Sequence, residues 1–556
     1  MKLKLYTLFA LVLLVGFAQS CNRKPEDKQQ KMVVYQVFTR LFGSDCPHPV
    51  VGGTLEQNGT GRFEDFTSQG LDSIKAMGMT HIWYTGVVEH ASIYSVDTVG
   101  GLQMNHPGVI KGKAGSPYAI KDYYDVNAYL ANDPSQRMEE FEALVQRSHD
   151  AGLGVIIDFV PNHVARGYHS DSAPAGVEDF GANDDNTLAF AANNNFYYLP
   201  GKSLEPKFET AMPIAYKEFP AKVSGNDVFS AEPQIHDWYE TVKLNYGVDY
   251  MNNRTTHFDP IPNTWLKMRD VLLFWASKDV DGFRCDMAEM VPKEFWAWVV
   301  KEVKAQYPDL TFIAEIYNPA AYEEYIKEGG FDFLYDKVGL YDTLKSVVQG
   351  HSTVAAISAS RQKIANVQPY MLNFLENHDE QRIAWKEFAG NPRAGLAMTA
   401  ISALSDNIPF MMYFGQELGE VSPDVTGFGG ADGRTTIFDF WTYPLYQAWR
   451  NDGKFDGKGL TEDQKQLRKE YVNLMKVAQE REFIEGKFVD ISMSNPSSDQ
   501  RVYAFARVID TFFGKKAAIV VANLSGENIE TSYELPIVKE EKLTVTLEPY
   551  EVIIIK

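Results

Sequence analysis

From Val33 onward, short apolar runs alternate with longer segments in which apolar residues recur every three or four positions. The run VVYQVF (33–38) predicts a strand, and the following FEDFTSQGLDSIKAMG places Phe66, Leu71, Ile74 and Met77 on one helical face, with Gly78 as its stop. THIWYTG (80–86) predicts a second strand. Asp133-Pro134 then opens a helix carrying Met138, Phe141, Leu144 and Val145. GVIIDFV (154–160) is unbroken in its apolarity, as expected of a parallel strand buried on both faces. After an interruption the order resumes as helix WLKMRDVLLFWASK, strand DGFRCD, helix KEFWAWVVKEVKAQ, strand TFIAEIY, helix PAAYEEYIKEGG and strand FDFLYD, and later as strands MLNFLENHD (371–379) and IPFMMYFG (408–415). Eight strands separated by helices predict an α/β protein built on a (β/α)8 TIM barrel. The structural rival is a doubly wound open sheet, but nothing glycine-rich follows the first strand to support a dinucleotide-binding version.

Two segments break the alternation. Residues 164–253 are rich in Asn, Asp, Gly, Pro and aromatics without a clear period, which predicts an inserted domain after the third strand. A last helix, TEDQKQLRKEYVNLMKVAQ, opens with the capping-box pair Thr461 and Gln464 and puts Leu467, Tyr471, Leu474, Met475 and Ala478 on its core face. From about Phe483 the period shifts towards two, in RVYAFARV, AAIVVANL, LTVTL and EVIIIK, and predicts a small antiparallel β-domain. The expected division is barrel over 32–163 and 254–481, insertion over 164–253 and β-domain over 482–556.

Composition narrows the function. A length of 556 residues implies more than one domain, and a net charge of −21 argues against a nucleic-acid surface, which needs clustered Lys and Arg. At the N-terminus, Lys2 and Lys4 precede the apolar run LYTLFALVLLVGFA and then Gln19, Ser20 and Cys21, the layout of an export signal. It resembles a bacterial lipoprotein signal, with 1–20 as the signal peptide, Cys21 as the lipidated residue and 21–31 as a polar tether. A plain secretory signal is the alternative. The expectation is an exported protein anchored in a bacterial envelope, at its periplasmic or cell-surface face. Cys46 and Cys285 are too few for a disulfide scaffold in a chain of this size, and Cys285 is expected as a buried free thiol.

In a barrel of this class, chemistry gathers at the C-terminal ends of the strands. The third strand ends in Asp158, Asn162 and His163, the fourth in Arg284 and Asp286, the fifth in Glu315 and the seventh in Asn377, His378 and Asp379. Along the fourth strand Arg284 and Asp286 share a face, opposite Phe283, Cys285 and Met287. So many ionisable groups at one mouth are costly to desolvate unless they serve chemistry. DFVPNH, GFRCD, AEIYN and FLENHD stand in the order and spacing of the four signature regions of the α-amylase superfamily, glycoside hydrolase family 13. SPYAIKDYYDVN and MMYFGQE are also similar to that family, and VKLNY (242–246) loosely resembles its further signature in the inserted domain B, in the version of neopullulanase-like members.

The resemblance implies a retaining glycosidase acting on α-glucans or maltooligosaccharides, with Asp286 as nucleophile, Glu315 as acid/base and Asp379 as the third carboxylate, bonded to sugar hydroxyls. Arg284 would lower the pKa of Asp286 and keep it ionised. His163 and His378 would donate to the sugar, Tyr118 would stack under it and Asp158 would order the site. No cofactor is required for the chemistry, but the family's structural calcium ion would take Asn162 as a ligand, with oxygens from domain B and the backbone at Met290. Many family members carry Lys-His three and four residues after the nucleophile, on the leaving side. Glu289 and Met290 stand there in this chain, which speaks against long-chain endo-acting starch binding and weakens the calcium expectation. The loop GFGGADGRTTIFDFW (427–441) lies beyond the eighth strand, where it could shape the acceptor side. The alternatives are an α-glucan transglycosylase or exo-α-glucosidase with the same residues, or a glycan-binding scaffold without catalysis.

Overall fold

The computed structural model describes residues 30–93, 105–208, 214–422, 427–428, 430–512, 514–537 and 541–556. The proposed signal peptide and Cys21 lie outside the described residues. Eight parallel strands close into a barrel: β1 (Val33–Phe38), β2 (His81–Thr85), β3 (Gly154–Phe159), β4 (Gly282–Cys285), β5 (Thr311–Ala314), β6 (Phe333–Tyr335), β7 (Met371–Phe374) and β8 (Phe410–Tyr413). Closure is made at β1, where Val34 pairs with His81 of β2 and Val33 with Phe410 of β8. The register of β4 sets Arg284 beside Asp158 of β3 and Ile313 of β5.

The helices form where the periodicity places them. Thr67 caps Ser68–Ala76 by accepting from the Gly70 amide, and Thr461 and Gln464 form a reciprocal capping box at Glu462–Ala478. All five apolar residues of that helix's expected core face are buried. Helix Ala394–Leu404, between β7 and β8, is buried at every position. It packs against the capped helix and the C-terminal sheet.

The insertion leaves and re-enters the barrel along one ladder, His163–Ala165 paired antiparallel with Thr241–Lys243. After β2 a second antiparallel ladder, Val88–His90 with Ile120–Val126, extends the same end of the barrel. The C-terminal domain is a four-stranded antiparallel sheet (Lys487–Asp490, Val502–Thr511, Gly514–Asn523, Val552–Ile555) with a separate pair, Ile529–Glu534 and Lys542–Leu547. Among the described residues no helix is long and apolar enough to cross a membrane. Cys285 is a buried free thiol and Cys46 is also free.

Candidate active site

The barrel mouth holds a cavity of about 660 Å³, within the range of small-ligand sites. Asp286, Glu315, Asp379, Tyr118 and His163 line it. Arg284 lies beneath, fully buried, and its guanidinium is the hub. Nη1 donates to Asp286 Oδ1 at 2.8 Å and lies 3.4 Å from Asp158 Oδ1, while Nη2 is 2.7 Å from Glu315 Oε2. The rings of Trp83, Tyr118 and Tyr335 surround it at 5.3–5.7 Å.

The strand periodicity explains why Arg284 and Asp286 meet. Two residues apart on one strand, they emerge on the same face, and Asp286 is reached as β4 ends. Asp286 Oδ1 is anchored, whereas its Oδ2 is buried with no hydrogen-bond partner among the described residues. Burial raises the pKa of Asp286 well above the usual carboxylate range. Arg284 opposes this and the Glu315 carboxylate adds to it. The expectation that Arg284 sets Asp286 low therefore needs correcting: the guanidinium acts in that direction, but desolvation is larger. Protons come off this crowded cluster jointly.

Glu315 follows β5 and is held at both oxygens. Oε2 accepts from the Met287 amide at 2.8 Å, and Oε1 from the Tyr317 hydroxyl at 2.5 Å. Met287 presents that amide from a left-handed backbone conformation, φ 42°. Asp379 sits in a turn closed by Asn377, whose Oδ1 accepts from the Asp379 and Glu380 amides. Burial by itself would raise Asp379, but His378, Arg284 and Arg434 outweigh it, and its pKa falls below the ordinary value. His378 Nε2 lies 2.9 Å from Asp379 Oδ2 and 2.5 Å from the Tyr118 hydroxyl. With Gln36 Nε2 assigned as donor to His378 Nδ1 at 2.8 Å, the imidazole proton stays on Nε2, facing those two groups.

Asp158 is part of the floor and not of the lining: it accepts from Trp83 Nε1 at 3.0 Å and touches Arg284 and Tyr118. Tyr118 stacks on His378 with ring centroids 5.2 Å apart. Burial lowers the pKa of His163 to about 3, helped by Lys243 and Lys111, so the imidazole is neutral.

Asn162 is used differently from the calcium expectation. Its Oδ1 accepts from Lys243 Nζ at 2.5 Å, and the same ammonium lies 3.1 Å from the Met290 carbonyl oxygen and 2.7 Å from Asp227 Oδ1. A fixed, buried ammonium already sits among the oxygens that would ligate a divalent cation. The residues present do not fit calcium at this place. A separate acidic group, Glu89, Asp122 and Asp125, is engaged by Lys121, by backbone amides and by Arg137.

Several lining residues escape the strand-end rule. Trp238 comes from the insertion and Lys111 from the segment joining the two strands of the second ladder, Tyr317 and Lys337 from the loops after β5 and β6, and Phe428, Arg434, Ile437 and Phe438 from the loop after β8. That last loop does wall the cavity, and Arg40 ties it to β1 through the Ile437 carbonyl. Trp238 is held at φ 42° with its ring against His163. In the sequence the insertion showed only as an aperiodic stretch rich in Asn, Asp, Gly, Pro and aromatics, which did not single out Trp238.

The model of the α-amylase catalytic domain matches residues 54–466. The chain belongs to the α-amylase family. Among curated relatives of this α-amylase-family protein, an α-1,4-glucan:maltose-1-phosphate maltosyltransferase of Cereibacter sphaeroides is 27% identical over 238 residues, 42% of this chain and 36% of that one. Alpha-amylase 3 of Dictyoglomus thermophilum is 22% identical over the full length of both chains. The chain spans about a third to just over a half of the length of several other curated relatives it matches. Among solved structures, a Nostoc punctiforme debranching enzyme superposes with a TM-score of 0.61 at 17% identity, over 95% of this chain and 99% of that one, a likeness of fold.

Proposed function

We propose that this α-amylase-family protein is a retaining glycosidase of α-glucans or maltooligosaccharides. The observation that carries the reading is the bridging of Asp286 and Glu315 by one guanidinium beneath the cavity, with Asp286 Oδ2 left unpaired. A pair held that closely suits the separation of retaining enzymes, roughly 5–5.5 Å, better than the 6.5–9.5 Å that makes room for water in inverting ones. With the proton of the pair on Glu315 and Asp286 ionised against the Arg284 guanidinium, Asp286 Oδ2 attacks the anomeric carbon as the glycosidic C–O bond breaks, and Glu315 gives that proton to the departing oxygen. Glu315 then takes a proton from water as water displaces Asp286. Asp379, held ionised, accepts hydrogen bonds from sugar hydroxyls and stabilises positive charge developing on the ring. His378 and Tyr118 fix its direction.

Transfer to a sugar acceptor uses the same steps with a hydroxyl in place of water, and the aromatic wall of Trp238, Phe428 and Phe438 supplies surfaces on which an acceptor could stack. Incubation of the purified protein with maltoheptaose, followed by NMR of the released anomers, separates the readings. α-Configured short products that vanish with Asp286→Asn support hydrolysis with retention. Products longer than the substrate favour transfer, and absence of turnover on this and on α-1,6-linked and disaccharide substrates refutes both.

A further inference from the structure

The two oxygens of Glu315 meet neighbours of different kinds. Oε2 faces the Arg284 guanidinium and the Met287 amide, which can only donate. A transferable proton therefore belongs on Oε1, whose neighbour is the Tyr317 hydroxyl at 2.5 Å. Tyr317 is itself fixed by an unusual partner. Glu289 Oε1 accepts from the Tyr317 amide and its Oε2 from the Asn318 amide, both at 3.1 Å. The side chain that stands on the fourth-strand loop is thus turned away from the cavity and clamps the fifth-strand loop beside it.

We propose that Tyr317 is a positioning residue for the acid/base carboxyl, and that Glu289 holds it in place. This inference rests on the reading of Glu315 as acid/base. By donating to one lone pair of Oε1, the Tyr317 hydroxyl stops rotation of the carboxyl and leaves the other lone pair, the one that carries the proton, directed at the glycosidic oxygen. The contact survives both half-reactions, because Oε1 can accept whether or not it bears a proton. Burial, with the Glu315 and Asp379 carboxylates, raises the pKa of Tyr317 well above its ordinary value, so the hydroxyl keeps its own proton.

The test compares substrates that differ in their need for protonation. Full-length Tyr317→Phe and Glu289→Ala are assayed on maltooligosaccharides, whose leaving group must be protonated, and on α-maltosyl fluoride, whose fluoride departs with little help. Positioned proton transfer contributes roughly 10²–10⁴-fold. Tyr317→Phe should therefore lose about 10- to 100-fold in kcat/KM on maltooligosaccharides, and at least ten times more there than on the fluoride. Glu289→Ala should show the same bias to a smaller degree, and the double variant should lose no more than Tyr317→Phe alone, since both act through one contact. Equal losses on the two substrates would make Tyr317 a sugar contact or a folding element and overturn the proposal, as would no loss on either. The fluoride reaction reports folded enzyme in each variant. Glu315→Gln is run alongside: full activity of that variant on maltooligosaccharides would bring down the assignment of Glu315, whereas its inactivity with an unbiased Tyr317→Phe would bring down the positioning alone.

Discussion

Replacing Lys243 with methionine removes an ammonium that joins three parts of the chain while keeping most of the side chain's apolar stem. The nitrogen lies 2.5 Å from Asn162 Oδ1 on the β3 loop, 3.1 Å from the Met290 carbonyl on the β4 loop and 2.7 Å from Asp227 in the insertion. The Lys243 side chain is 2% exposed, against 29% for Asp227. Water can therefore resolvate much of the aspartate, and its pairing contributes about 1 kcal/mol or less. Asn162 is fully buried, and the Asn162 and Met290 oxygens would each lose a charged donor, at roughly 1–3 kcal/mol apiece. The sum, about 2–7 kcal/mol, brackets the roughly 3–5 kcal/mol usually lost on breaking a buried ion pair. Scanning calorimetry of the purified protein should show a Tm lower by several degrees. Wild-type Tm should not respond to EDTA or to added calcium, because the ammonium already holds the oxygens. Lys243→Asp supplies the complementary result. Two carboxylates and two carbonyl oxygens make a hard-oxygen set, so this variant should melt early in EDTA and recover with calcium, by about 2.7 kcal/mol at a hundredfold excess over Kd. A loss below about 1 kcal/mol in Lys243→Met, or a wild-type Tm that falls in EDTA, would refute the reasoning.

Trp238→Ala should raise KM about tenfold with a smaller change in kcat, measured by steady-state kinetics on maltooligosaccharides, since it removes an aromatic wall of the cavity and spares the carboxylates. Gly433→Ala should impair activity more than stability. Gly433 has φ 82°, and an added Cβ would sit 2.4 Å from Trp385, so the loop that carries Arg434, Ile437 and Phe438 must shift. Burial holds His81, His90 and His163 at about 4, 3 and 3 against an ordinary 6.5, so between those values the unfolded chain binds more protons and stability falls as pH drops. Glu89 and Glu420, raised to about 7 by burial, act oppositely between 4.5 and 7. Urea unfolding should therefore weaken most steeply below about pH 4.5, and a flat profile there would contradict the assignment.

The barrel was readable because β1 to β8 are short apolar runs and most helices between them show one apolar stripe, as at Phe141, Leu144 and Val145. Helix Ala394–Leu404 carried no such signal. It is buried all round, so AGLAMTAISAL has no polar face to set a period. The three carboxylates and Arg284 stood at strand ends, where the alternation of side chains alone brings Arg284 to Asp286. The sign of the Asp286 shift did not follow, because desolvation depends on what covers a residue. Nor did Lys243 and Tyr317 emerge, and Glu289 stood out only as a departure from the family's Lys-His and not as a clamp, since their partners lie on loops far apart in sequence. A lysine beside Asn162 is a matter of how the insertion folds back.

Helix Ala394–Leu404 also bears on how the chain can be cut. One side rests on β7 and the other meets the C-terminal sheet, while Arg507 from that sheet reaches the Ser405 carbonyl at the helix end and the Phe483 carbonyl. Removing residues 482–556 would not release a trimmed but intact barrel. It would lay bare the apolar side of a helix that has no polar side to turn outward, and the shortened chain would be recovered as aggregate. For anyone seeking a minimal catalytic fragment, or grafting this barrel onto another scaffold, the C-terminal sheet has to travel with it.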